Sequence, residues 1–100
     1  MDINLQEIKV THNAAESRFE TLIDGRISML EYALDGDRIV MLHVGVSPEQ
    51  RGQGLAGKLT ETALQYAKEK SLRVIPMCSY VVAYIRRHPE YLSLTKHRES

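Results

Sequence analysis

Apolar and polar residues alternate along the first half of the chain, then recur at helical spacing along the second. From Ser17 to Ile23, Phe19, Thr21 and Ile23 share one face, the period-two signature of a strand. Asp24-Gly25 follows, a strong two-residue hairpin signal because glycine tolerates positive φ. Arg26 to Leu34 sets Ile27, Met29, Glu31 and Ala33 against Ser28, Leu30, Tyr32 and Leu34. Apolar residues on both faces predict a central strand. Asp35-Gly36-Asp37 makes the next turn, and Arg38 to Val46 reads as another strand, also apolar on both faces. These segments form a three-stranded antiparallel meander. Ahead of it, Ile8 and Val10 alternate with Lys9 and Thr11, which allows a short strand, and His12 to Ala15 reads as a loop.

The period changes after Pro48. Between Gly52 and Lys70, Leu55, Leu59, Ala63, Tyr66 and Ala67 fall on one face, with Lys58, Glu61, Gln65, Lys68 and Glu69 largely opposite. That pattern predicts an amphipathic helix. Leu72 to Met77 is a short apolar run, as expected for a strand covered on both faces. Strand, helix and strand in this order make a right-handed parallel crossover. Tyr80 to His88 reads as a second helix, ended by Pro89. The last ten residues read as a loosely attached tail that touches the sheet through Tyr91, Leu92 and Leu94. The expected class is α/β (α+β by some schemes). The sheet is mixed: an antiparallel meander, a parallel β-α-β crossover, then a C-terminal helix.

Composition narrows the function. One hundred residues make one domain, 1–100, with a core near 17–94. Lys plus Arg and Asp plus Glu are 13 each, a balance that argues against a general nucleic-acid binder. Arg86-Arg87 and Lys96-His97-Arg98 are then solvated surface. Cys78 is the only cysteine, so no intrachain disulfide forms, which fits a reducing compartment. The start, Met1-Asp2-Ile3-Asn4, shows no secretory signal. No window approaches the roughly 20 apolar residues of a membrane span. A cytoplasmic protein without a metal site, monomeric or weakly dimeric, is expected.

The candidate chemistry centres on Val44-Gly45-Val46-Ser47-Pro48-Glu49-Gln50-Arg51-Gly52-Gln53-Gly54-Leu55-Ala56-Gly57-Lys58. A glycine-rich turn at a helix start leaves backbone N–H groups without helical partners, and with the helix dipole these suit a phosphate or pyrophosphate. Three patterns compete. Gly52-x-x-x-x-Gly57-Lys58 nearly fits a Walker A loop, but Leu59 stands where Ser or Thr should hold magnesium. Gly52-x-Gly54-x-x-Gly57 fits a dinucleotide fingerprint, but no tight strand-to-helix turn precedes it. No carboxylate ends the next strand either, since Cys78 and Ser79 stand there. Arg51-x-x-Gly54-x-Ala56 fits the acyl-CoA loop of the GNAT acetyltransferases, whose meander and strand–loop–helix–strand order match the predicted elements.

With His43-Val44-Gly45-Val46, Pro76-Met77-Cys78, Tyr84-Ile85-Arg86-Arg87 and His88-Pro89-Glu90-Tyr91 added, residues 17–94 resemble small, roughly hundred-residue GNAT-like N-acetyltransferases. The resemblance implies acetyl-CoA or CoA as ligand and an amine as acceptor. The pyrophosphate would sit on the backbone of Arg51, Gly52, Gln53, Gly54, Leu55 and Ala56. The pantetheine arm would lie where strands 39–46 and 72–77 splay apart, held by Val44, Gly45 and Val46, with the thioester near Cys78.

Three side chains are catalytic candidates. Cys78, at a helix start that favours thiolate, would accept the acetyl group or protonate the departing thiolate; otherwise it is a small buried hydrophobe. His43 would deprotonate the acceptor; otherwise it is a core histidine. Tyr84, or Tyr80 one helical turn before it, would serve the thiolate; otherwise both pack. The late tyrosine of the wider superfamily is not kept: Ala83 matches its pattern, but Arg87 stands at the tyrosine position. The chain is also short of the helices that usually cover the acceptor site. A CoA-binding sensor or adaptor without catalysis is the alternative. Glu31, in a central strand, either pairs with Arg38 or faces the cleft.

Overall fold

The meander predicted from alternation forms the middle of a five-stranded sheet. The structure is a computed structural model and describes residues 4–96; Met1-Asp2-Ile3 and the His97-Arg98 part of the basic cluster lie outside the described residues. The strands are β1 (Thr11–Asn13), β2 (Arg18–Ile23), β3 (Arg26–Asp35), β4 (Arg38–Gly45) and β5 (Arg73–Pro76). They lie side by side in chain order. β1 to β4 pair antiparallel, and β5 joins β4 in parallel. The parallel step is bridged by α1 (Leu55–Glu69), and α2 (Ser79–Arg87) follows β5. This is a mixed α/β sheet with meander, crossover and C-terminal helix.

Alternation sends one side of every strand toward the helices. Leu59, Ala63, Leu64 and Ala67 of α1 pack on Phe19, Leu30, Tyr32, Ile39, Met41 and Val74. Val81 and Ile85 of α2 close the same cluster. Each fully buried Leu, Ile or Phe contributes about 1.5–3 kcal/mol of transfer free energy. The other side of the sheet is different. Leu22, Ile27 and Ala33 there are exposed, and Met29, Glu31, Val40 and Ile75 are half-buried. The core is therefore one-sided, and β3 is central in order while keeping one open face.

The edge at β1 is closed by aromatic packing. His12 lies flat on Phe19, with ring centroids 4.3 Å apart, and meets Tyr66 of α1 edge-on at 4.6 Å. Its Nε2 hydrogen-bonds the Tyr32 hydroxyl at 2.6 Å. Burial pushes the His12 pKa down and the Tyr32 pKa up. Burial thus disfavours the charged form of each, and the two side chains satisfy one another as neutral partners.

Three expectations need correction. The first strand is Thr11–Asn13 rather than residues around Ile8 and Val10. His12 and Asn13 are therefore strand, and Ala14–Glu16 forms a short 3₁₀ turn. β5 is the sheet edge, with Val74 buried but Arg73, Ile75 and Pro76 only half-buried. The final segment is no loose tail. Pro89–Thr95 winds as a 3₁₀ helix that buries Tyr91 and Leu94. Three residues per turn eclipse positions i and i+3, so these two side chains enter the core together while Leu92 stays exposed. The Gln65 side-chain amide donates to the Tyr91 hydroxyl at 2.8 Å.

Candidate functional site

β4 leaves β5 halfway along its length. Their pairing runs from Arg38 and Arg73 to Met41 and Pro76. There the N–H groups of Met77 and Cys78 both donate to the Met41 carbonyl, at 3.0 and 3.2 Å, and the chain turns into α2. The β3–β4 register slips at the same level: Tyr32 faces Met41, but Glu31 faces His43. Leu42 is thus an extra residue, and such a bulge bends its strand and increases its twist. His43, Val44 and Gly45 continue to pair with β3. Their opposite backbone edge opens into a gap.

The turn that closes this gap is pinned from below. The Ser47 N–H donates to the buried Ser28 hydroxyl at 3.3 Å. Pro48–Gln50 forms a 3₁₀ turn. The Gln50 side-chain amide donates to the Ile23 carbonyl at 2.9 Å, tying the turn to the β2–β3 hairpin. Among the described residues its Oε1 is buried without a hydrogen-bond partner. Gly52 and Gly54 hold φ of +79° and +85°, where a Cβ is strained. Gly54 is also the N-cap of α1, and no side chain caps that helix. The first amides of α1 therefore face the gap with the positive end of the helix dipole behind them.

Strand edge and turn enclose a cleft of about 490 Å³ lined by His43, Val44, Gly45, Val46, Arg51, Gly52, Gly54, Leu55 and Ala56, with Gln50, Gly57 and Tyr80. A Cβ on Gly57 would lie 3.5 Å from the Tyr80 hydroxyl and 3.7 Å from Tyr84, ordinary packing distances, so α2 rests against α1 at this point. His43 is exposed, not a core histidine. Its ring reaches along the strand, with Nε2 3.1 Å from where a Gly45 Cβ would be. Alternation alone left the open and the core readings of His43 side by side, because Leu42 shifts the pattern by one residue.

The remaining candidates lie around the cleft. Gln53 belongs to the turn but not to the lining. Cys78 is the N-cap of α2, half-buried and packed on the core cluster. Tyr84 faces a neighbouring groove of about 370 Å³, with Leu5, Gln6, Lys58, Glu61 and His88. It stacks on His88 at 4.1 Å. Burial, reinforced by the Glu61 carboxylate, pushes its pKa up to about 12, so it holds its proton and donates it weakly. Tyr80, not Tyr84, is the tyrosine on the main cleft. Sequence spacing put both on one helix face without saying which one α1 leaves open. Gln50 was missed as well, because its hydrogen-bond partner lies 27 residues away. Arg38 pairs with Asp35, which leaves Glu31 beside His43.

Among the described residues, no group of His, Cys, Asp and Glu could hold a metal ion, and no helix is long and apolar enough to cross a membrane. The family model for GCN5-related N-acetyl-transferase matches residues 18–94. Protein NATD1 of Mus musculus is 32% identical over 85 residues, covering 82% of this chain and 77% of that protein. Protein NATD1 of Homo sapiens is 32% identical, over 82% and 75% of the two chains. The solution structure of a GCN5-like protein from Staphylococcus aureus superposes with a TM-score of 0.69 at 27% identity, over 97% of this chain and 94% of the other.

Proposed function

The chain belongs to the GCN5-related N-acetyltransferases, and from that premise we propose that it is an acetyl-CoA-dependent enzyme that acetylates an amine. The observation that supports this most is the meeting of two sets of backbone groups in one cleft. The unpaired edge of His43–Val46 lies on one side, and the Gly52–Ala56 turn on the other. A diphosphate and an amide-bearing arm fit these donors, because positive-φ glycines let a ligand approach the backbone closely.

Acetyl-CoA supplies an activated acetyl group. The protein's part is positioning. The 51–56 turn and Arg51 would hold the diphosphate, and Val44, Gly45 and Val46 would hold the arm by backbone hydrogen bonds. Fixed reactants and oriented N–H groups provide proximity and carbonyl polarisation. His43, exposed beside Gly45, would take the acceptor's proton directly or through water. The thiolate proton would come from Cys78 or Tyr80. Tyr84 is disfavoured by its raised pKa and its separate groove.

A melting-shift panel tests the reading. CoA and acetyl-CoA should stabilise the protein, while NAD and ATP should not. At 100 times its dissociation constant a ligand adds about 2.7 kcal/mol. Release of CoA with an added amine would establish turnover. Binding of CoA without turnover across amines would favour the sensor alternative, which the position of Cys78 off the cleft lining supports. Stabilisation by NAD or ATP alone would overturn both.

A further inference from the structure

We infer that the acceptor is itself a protein, seated on the helix-free face of the sheet, with a lysine ammonium drawn to Glu31. This rests on the acetyl-transfer reading and adds the substrate class. The register puts Glu31 directly across from His43, and directly opposed residues of an antiparallel pair share a face. That face also carries Gly45, the cross-strand partner of Met29. The inner end of the cleft and the open face of the sheet are therefore continuous.

Charge on this face is mostly spent internally. Arg18 pairs with Glu20, and Arg38 with Asp35. Glu31 has no ion-pair partner among the described residues. Its other register partner, Arg18, is hydrogen-bonded to Glu20 and acts on Glu31 only through the weaker, longer-range part of its charge. Glu31 is half-buried between strands, where a carboxylate is screened less than on an open surface. An ammonium is the complementary charge, and it would arrive beside the group proposed to deprotonate it.

The surroundings select the carrier of that ammonium. Leu22 and Ile27 are paired across β2 and β3 on the same face and are 70% and 43% exposed. Met29, Val40 and Ile75 continue the apolar surface. Sites for small molecules are concave and bury most of the ligand. A small amine on a sheet face would be covered on one side only, and water would reach the reacting groups. A protein brings its own surface to cover Leu22, Ile27 and Met29, and burial of that apolar area would supply the affinity.

The test uses the chain loaded with CoA for binding and supplied with acetyl-CoA for turnover, with three probes: a blocked peptide Gly-Leu-Lys-Leu-Gly, the same peptide with Asp flanking the lysine, and n-butylamine. Binding is followed by backbone amide shifts and turnover by release of CoA. The Leu-flanked peptide should bind about tenfold more tightly than either other probe. Its shifts should centre on Leu22, Ile27, Met29 and Glu31. Glu31→Gln should raise its Kd or KM about tenfold, with kcat and CoA affinity within about twofold, and Glu31→Asp should restore part of the loss.

These binding results stand whether or not acetyl is transferred, so failure of the catalytic reading is seen separately. Equal use of n-butylamine, peptide shifts confined to other surfaces, no binding of either peptide, or an unchanged Kd in Glu31→Gln would each overturn the inference. So would a dimer in sedimentation that buries this face and dissociates with Leu22→Asp.

Discussion

The two ends of the sheet treat polar groups in opposite ways. At the β1 end, His12 and Tyr32 satisfy each other inside a stack with Phe19 and Tyr66. At the β4 end, backbone edge and helix start are left facing a cleft. Buried polar groups that are paired fix a structure, whereas groups held rigidly without partners are available to a ligand. The difference separates the stabilising half of the molecule from the half proposed to bind. It predicts that mutations at the two ends will separate stability from ligand affinity.

The largest effect is expected at the closed end. Phe19→Ala removes a fully buried ring and should cost about 3–4 kcal/mol in urea unfolding. CoA affinity of the folded protein should stay within about twofold. A parallel loss of CoA affinity would break the proposed division.

Gly54→Val probes the open end. The φ of +85° strains any side chain, and a Cβ there would meet a Leu5 methyl at 2.7 Å. Leu5 can rotate away, so the strain is mainly in the backbone, about 1–3 kcal/mol. CoA affinity should fall more than tenfold, since the turn can no longer present its amides. Arg51→Ala should be milder. Arg51 is exposed, so melting without ligand should be unchanged and the CoA Kd about fivefold higher.

The smallest effect is the pH response of His12. Its pKa is lowered in the folded state by burial, so the unfolded chain binds the proton more readily. Stability is then fully present above the unfolded pKa of about 6.5 and declines as pH falls through that value toward the folded pKa. Comparing urea midpoints at pH 7.5 and 5.5, His12→Phe should show a smaller decline than the parent. An equal decline in both would mean that other groups carry the acid sensitivity.

Much of the fold was legible because its signals are local. Asp24-Gly25 and Gly36 mark the hairpin turns, and the switch from period two to period 3.6 marks α1. The site was legible in part. Gly52, Gly54 and Arg51 announce the turn, and Val44 to Val46 the strand beside it. What the sequence did not disclose depends on contacts between distant residues. The Leu42 bulge decides that His43 points out of the core. The way α2 packs on α1 puts Tyr80 on the main cleft and Tyr84 on the neighbouring groove. The 3₁₀ winding of Pro89–Thr95 turns an apparent tail into a wall of the core.

The most direct test of the central claim is a titration of the labelled protein with CoA, followed amide by amide. The account predicts that the largest shifts fall on Gly52 to Ala56 and on Val44 to Val46, and that Gly54→Val abolishes both sets together. Shifts confined to the neighbouring groove around Lys58, Tyr84 and His88, with the 52–56 amides unmoved, would contradict it.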